Sequence, residues 1–248
     1  MAIAYVQKAS TSYNGVNSSP SVSWPSTPVE DNLLIAVCSD VRGDATMGMT
    51  SSGWTLAESQ VALYDTGLYT GCQFNAWYKI AGSSEASSVQ VNTANRGALT
   101  IYEFSGVDAA APFERDNFVS DTPTSDETVT VGTGTTTNAD AMAFTAGTNR
   151  ELSQTATDDD IEDGSAVDYS DRNFVGPSNP GNRVTLGTGW KSLSSTGNYS
   201  AVHNFTNGNT SSIEYAWVGV FKAAGGGGGS FPHGPFSHPM HGPFGGPI

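Results

Sequence analysis

The sequence predicts an all-β protein: a jelly-roll-like antiparallel β-sandwich followed by an extended, non-globular C-terminal tail. Three observations carry that expectation. Short runs rich in β-branched and aromatic residues recur between clusters of Gly, Ser, Asn and Asp. No stretch keeps the 3.6-residue apolar period of a long helix. The composition changes abruptly at Gly225, after which charge disappears and Gly and Pro dominate.

In chain order, strands are expected at residues 3–6, 32–38, 53–59, 74–80, 88–92, 99–104, 127–131, 141–146, 182–186, 200–205 and 214–222. Strict alternation over 127–131 puts Val129 and Val131 on one face and Thr128 and Thr130 on the other, the pattern of a sheet with one wet side. Residues 33–38 and 216–221 are apolar on both faces and should be central strands. Gly53 permits a positive-φ turn that would set Trp54 over the end of the sandwich, and Gly106 ends the strand before it. Together these place one sandwich domain at 1–224, a Gly-rich linker at 225–230 and a Pro/His/Phe-rich tail at 231–248.

Proline at 232, 235, 239, 243 and 247 blocks both a helix and an inner strand, so the tail can only be extended or turned. His-Gly-Pro-Phe occurs in it twice, at 233–236 and 241–244. Its partner-binding candidates are Phe231, Pro232, His233, Phe236, His238, Met240, His241 and Phe244: apolar knobs on a backbone that proline has already restricted. The glycines supply reach.

Lys and Arg number 10 against 24 Asp and Glu, a formal charge of −14. That balance argues against nucleic acid and against an anionic membrane surface, both of which need a basic stripe. Ser and Thr together number 56, and only 14% of residues are charged, giving a polar but weakly charged surface. The N-terminal stretch lacks a basic region followed by an apolar run, so synthesis in a cytoplasm without a cleaved signal is expected. Cys38 and Cys72 lie in separate apolar runs and read as buried thiols, with a bridge as the alternative.

Residues 30–37 (EDNLLIAV), 52–56 (SGWTL), 77–85 (WYKIAGSSE) and 101–108 (IYEFSGVD) together resemble a β-sandwich domain that recurs in tailed-phage virion proteins and some bacterial surface proteins. The apolar strand at 215–223 (YAWVGVFKA) is similar to the one that closes such domains. Asn32 stands where the pattern has Gly-Asp, and the tail has no counterpart in it. The resemblance implies a non-enzymatic structural or adhesive role in a virion, as a capsid decoration or a tail or fibre subunit, with other virion proteins or copies of itself as partners. It brings over no catalytic residues.

Catalytic chemistry is poorly served. The body holds a single histidine, His203, and neither Gly-x-Ser-x-Gly nor Ser-x-x-Lys occurs. Phosphate-binding glycine motifs are missing as well. Glu103, alternating with Leu99 and Ile101, is the carboxylate of most interest, and the plain reading puts it on the solvent face of an outer strand. Asp158, Asp160 and Glu162 offer hard oxygen ligands for Ca2+, but Gly164 comes one position late for an EF-hand, and a solvated acidic loop is the plain alternative. Trp24, Tyr169, Trp190 and Tyr199 are candidates for stacking on sugar rings if they project from loops. They support the competing reading, a receptor- or carbohydrate-binding module. A self-assembling surface filament is a third.

Overall fold

The computed structural model describes residues 2–41, 47–63, 71–92, 94–121, 127–151, 157–162, 170–175, 183–206 and 213–225. These form β1 (Ala4–Ser18), β2 (Ser21–Ser23), β3 (Leu33–Val41), β4 (Gly48–Met49), β5 (Thr55–Leu63), β6 (Gly71–Ile80), β7 (Ser88–Asn92) and β8 (Ala94–Ser105). There follow β9 (Phe113–Asp121), β10 (Glu127–Thr135), β11 (Ala141–Glu151), β12 (Thr157–Glu162), β13 (Ser170–Val175), β14 (Arg183–Leu193), β15 (Asn198–Thr206) and β16 (Ile213–Lys222). All pairings are antiparallel, and no helix occurs among the described residues.

Two five-stranded sheets, β1-β8-β3-β6-β5 and β13-β14-β11-β16-β9, pack face to face. The outer face of the first carries the small sheet β2-β7-β4, and that of the second carries β10-β15-β12. Within residues 4–105 the first strand pairs with the eighth, the second with the seventh and the third with the sixth. That is the rolled-up hairpin of a jelly roll. The chain is therefore the expected jelly-roll-like sandwich, built in four layers.

Three apolar cores follow from the layers. The central one fills the space between the large sheets, with Leu33, Ile35, Phe74 and Phe104 facing Phe144, Leu186, Trp217 and Phe221. A second lies under β2-β7-β4 and includes Trp24, Leu34, Cys38, Trp77, Leu99 and Ile101. A third lies under β10-β15-β12 and includes Val129, Val131, Ala201, Val218 and Val220. The strands apolar on both faces are thus those with a core on each side: β3, the middle strand of its sheet, and β16, interior to the other. Val129 and Val131 are buried while Thr128 and Thr130 are exposed, as the alternation predicts.

The structure adds strands that the sequence hides. β2 and β4 are too short to show a period. β9 carries Glu114, Arg115 and Asp116 because it is a sheet edge, where charged side chains reach water. Asp158, Asp160 and Glu162 lie in β12, paired along β15, and not in a loop; cross-strand pairing overrides their low strand propensity.

Candidate functional site

Glu103 is fully buried, which corrects its expected place on a solvent face. β8 lies between β1 and β3, and the segment before β3 folds over it. Asn32 Nδ2 donates to Glu103 Oε1 at 2.6 Å, and the Val29 amide donates to the same oxygen at 2.8 Å. Gln7 Nε2 donates to Oε2, and Gln7 Oε1 accepts from Ser26 N and Oγ at 3.0 Å each. With donors on both oxygens and no exposed surface, Glu103 is a clamp holding residues 26–32 against the sheet. It is not placed to exchange protons with a substrate.

His203 is also buried, on β15, where its Nε2 shares a 2.8 Å hydrogen bond with Thr145 Oγ1. Thr145 donates in turn to the Trp217 carbonyl at 2.8 Å. The imidazole stacks on Phe205 and needs Gly147 beneath it, since a Cβ there would sit 2.3 Å from Nδ1. It ties the small outer sheet to the large one. Because Thr145 Oγ1 gives its proton to the Trp217 carbonyl, it meets Nε2 as an acceptor, which is a packing contact and not the activation of a nucleophile.

The three described aromatic candidates lie against three different cores. Trp24 is 6% exposed and fills the core under β2-β7-β4, because residues around it are pinned by Gln7 and by its own amide to Ser87 O at 2.9 Å. Trp190 belongs to a strand, β14, and is half-buried against Tyr5 and Phe104. Tyr199 likewise lies on a strand, β15, half-buried, with its hydroxyl donated to Ser195 O at 2.8 Å. Tyr169 lies outside the described residues, as do the side chains of Asp158, Asp160 and Glu162. Among the described residues no cluster of three or more His, Cys, Asp or Glu could hold a metal.

Cys38 and Cys72 are unpaired and face opposite sides of their sheet, Cys38 toward the outer core and Cys72 toward the central one. No bridge can join them without rebuilding the sheet. Burial raises both thiols: Cys72 is pushed up to about 12, and Cys38 further.

Sequence reading missed a buried polar set at the sandwich end opposite the chain exit. Ser39 Oγ meets Thr148 Oγ1 across the two sheets, and Thr148 Oγ1 donates to Thr185 O at 2.8 Å. Asp40 takes the Arg96 amide at 2.8 Å, and Asn149 Nδ2 donates to Glu214 Oε1 at 3.2 Å. Arg150 is 1% exposed beside them. Polar residues at strand ends look like solvent-facing residues in one dimension, so no local signal marks them as interior.

At the exit end the chain is held to the last described residues. Ala223 bridges to Val107 and donates to Asp140 O at 3.1 Å, and the Ala224 amide donates to Gly106 O at 2.8 Å. Ala2 lies against Gly106, where a Cβ would come within 2.5 Å of Ala2 O. Beside this point Ile3, Ala141 and Leu193 line a half-open cleft of about 130 Å³ with Asp140, Ser192 and Ser194. Gly225 is exposed, so the tail is launched from this end. The tail candidates Phe231, Pro232, His233, Phe236, His238, Met240, His241 and Phe244 lie outside the described residues.

No family model matches the chain, and no curated protein or solved structure matches it.

Proposed function

We propose that this chain is a non-enzymatic structural protein of a phage virion, a capsid decoration or a tail or fibre subunit, anchored to neighbouring subunits through residues 231–248. One observation carries the reading: the body is hydrogen-bonded up to Ala224, and from there the chain continues as 24 residues with five prolines, three phenylalanines and no charged side chain. Such a segment has no core of its own. Its apolar side chains gain free energy only by burial on another surface, roughly 1.5–3 kcal/mol for each large one. All of the −14 charge stays on the body, which keeps it hydrated and outward.

The interior placement of Glu103 and His203 supports a structural role for both, and the resemblance at residues 30–108 supports the virion setting. No cofactor is invoked. The partners are other virion proteins or further copies of this chain, and the location is the particle. The receptor-binding alternative loses support because Trp24 and Trp190 are committed to packing.

Truncation after Ala224 tests the proposal. The shortened chain should keep the parent melting temperature and lose incorporation into the assembly. Normal incorporation of the truncated chain would refute the anchor.

A further inference from the structure

The geometry points to a covalent dimer: residues 4–105 and 113–222 are two copies of one eight-stranded unit, and the inner face of each is an interaction surface that fits a second copy of the unit.

Strand order gives the first indication. The large sheet of the first unit runs β1-β8-β3-β6-β5 and that of the second runs β9-β16-β11-β14-β13, while the small sheets run β2-β7-β4 and β10-β15-β12. Each strand of the second unit takes the place of the strand eight earlier. Two unrelated halves have no reason to share all eight positions.

Register makes the match residue by residue. Asp31 and Asp140 are the only non-glycine residues with positive φ among the described residues, at 66° and 59°, and each stands just before the third strand of its unit. Taking them as equivalent matches Leu33 with Met142, Ile35 with Phe144 and Ser39 with Thr148. Ile35 pairs with Tyr78 and Tyr102, and Phe144 pairs with Trp190 and Gly219. Hence Tyr78 matches Trp190 and Phe104 matches Phe221. Tyr5 lies opposite Phe104 and Phe113 opposite Phe221, so Tyr5 matches Phe113. The β-bulge recurs at one place: the register slips between Tyr5 and Gln7 in the first unit and between Phe113 and Arg115 in the second.

Contacts between the units are reciprocal, the mark of a two-fold interface. Tyr5 stacks on Trp190 across the interface with planes 10° apart, and its match Phe113 stacks on Tyr78 at 11°. Phe104 meets Trp190 edge-on at 5.6 Å and 76°, and Phe221 meets Tyr78 at 6.0 Å and 71°. Within the units Tyr5–Phe104 and Phe113–Phe221 are again edge-on, at 70° and 63°. Two matched residues meet each other where an axis passes, and Ser39 meets Thr148. At the other end of the axis Val107 bridges Ala223 while Ala224 bonds Gly106, each pair the mirror of the other. The inner faces have diverged in compensating sizes. Ala98, Thr100 and Tyr102 of the first unit match Tyr215, Trp217 and Gly219 of the second, so bulk absent from one sheet is supplied by the other.

The inference does not depend on the proposed function. It is tested in the full-length chain by exchanging the two aromatic trios across the axis: Tyr5→Phe, Phe113→Tyr, Tyr78→Trp and Trp190→Tyr together. Each single change at 78 or 190 should lower the melting temperature by several degrees, and the fourfold exchange should lose clearly less than the sum of the four singles, because each trio is rebuilt whole at the equivalent place. Losses that add, or a fourfold variant that does not fold, would overturn the equivalence. As a second readout, the whole chain is cut at a protease site placed within residues 109–112, unfolded and refolded. The two pieces should reassociate one to one with the parent near-UV spectrum. Pieces that refold without associating, or do not recover, would overturn the interaction surface.

Discussion

The two units place different chemistry on one frame. At the position where the first unit buries Glu103, the second has Val220, and where the first has Gln7 beside it, the second has Arg115. Beside the apolar core under β2-β7-β4, the first unit therefore adds a polar clamp, drawing residues 26–32 onto the sheet through hydrogen bonds to Glu103. The second closes the same layer with an apolar core of Val218 and Val220 against Val129, Val131 and Ala201, plus one histidine. A common backbone thus tolerates either solution, provided each buried polar atom has its partner. The difference also shows that neither Glu103 nor His203 is required by the fold as such. Each is a local way of attaching the cover.

The largest effect should come from breaking the polar version. Glu103→Ala strands the Asn32, Gln7 and Val29 donors inside the first unit and should cost about 3–5 kcal/mol, whereas Val220→Ala at the matching site removes only apolar contact, about 2 kcal/mol. Urea unfolding of both variants measures the gap, and equal losses would break the contrast. Next comes Gly97→Ala. A Cβ there would lie 1.9 Å from the Ser39 carbonyl oxygen, while the matching position in the second unit carries the full side chain of Glu214. The melting temperature should fall by roughly 6–12 °C, against a smaller change for Glu214→Gln. Gly147→Ala should cost about 1–3 kcal/mol through contact with the imidazole, and a further His203→Ala should recover part of that loss by opening the space.

The smallest effect concerns pH. Glu114 occupies the bulge of the second unit where the first has exposed Val6. Partial burial raises its carboxyl, but hydrogen bonds from Asn138 and from the Thr137 amide and hydroxyl outweigh that and hold it below 4.5. A folded value below the unfolded one contributes stability above the unfolded value, and that contribution is lost as pH falls through the folded one. Glu114→Gln should therefore melt about 1 °C below the parent at pH 7, and the gap should close as pH falls below 4.5 and through the lowered folded value.

Much of this frame was legible in one dimension. Runs of β-branched and aromatic residues marked the long strands because those strands are buried on at least one face, and the doubly apolar runs at 33–38 and 216–221 marked strands with a core on each side. Gly53 and Gly106 were readable as turn positions and do adopt φ of 82° and 78°. The doubling was not legible. Matched inner positions such as Thr100 and Trp217, or Tyr102 and Gly219, share a location but no chemistry, since each side chain is fitted to the opposite unit and not to its own counterpart. The burial of Glu103 is hidden in the sequence for a related reason. Alternation says which side of a strand a residue takes, but not whether a distant segment, here residues 26–32, covers that side.

The architecture stands on the two large sheets meeting with Ser39 and Thr148 at their common axis, and a cross-link reads that most directly. With Cys38 and Cys72 replaced by Ala to leave no competing thiol, Ser39→Cys and Thr148→Cys should oxidise to a disulfide joining 39 to 148, identified by peptide mass, with a raised melting temperature from closing a loop of about 100 residues. A folded protein in which both thiols remain free under oxidising conditions would contradict the arrangement.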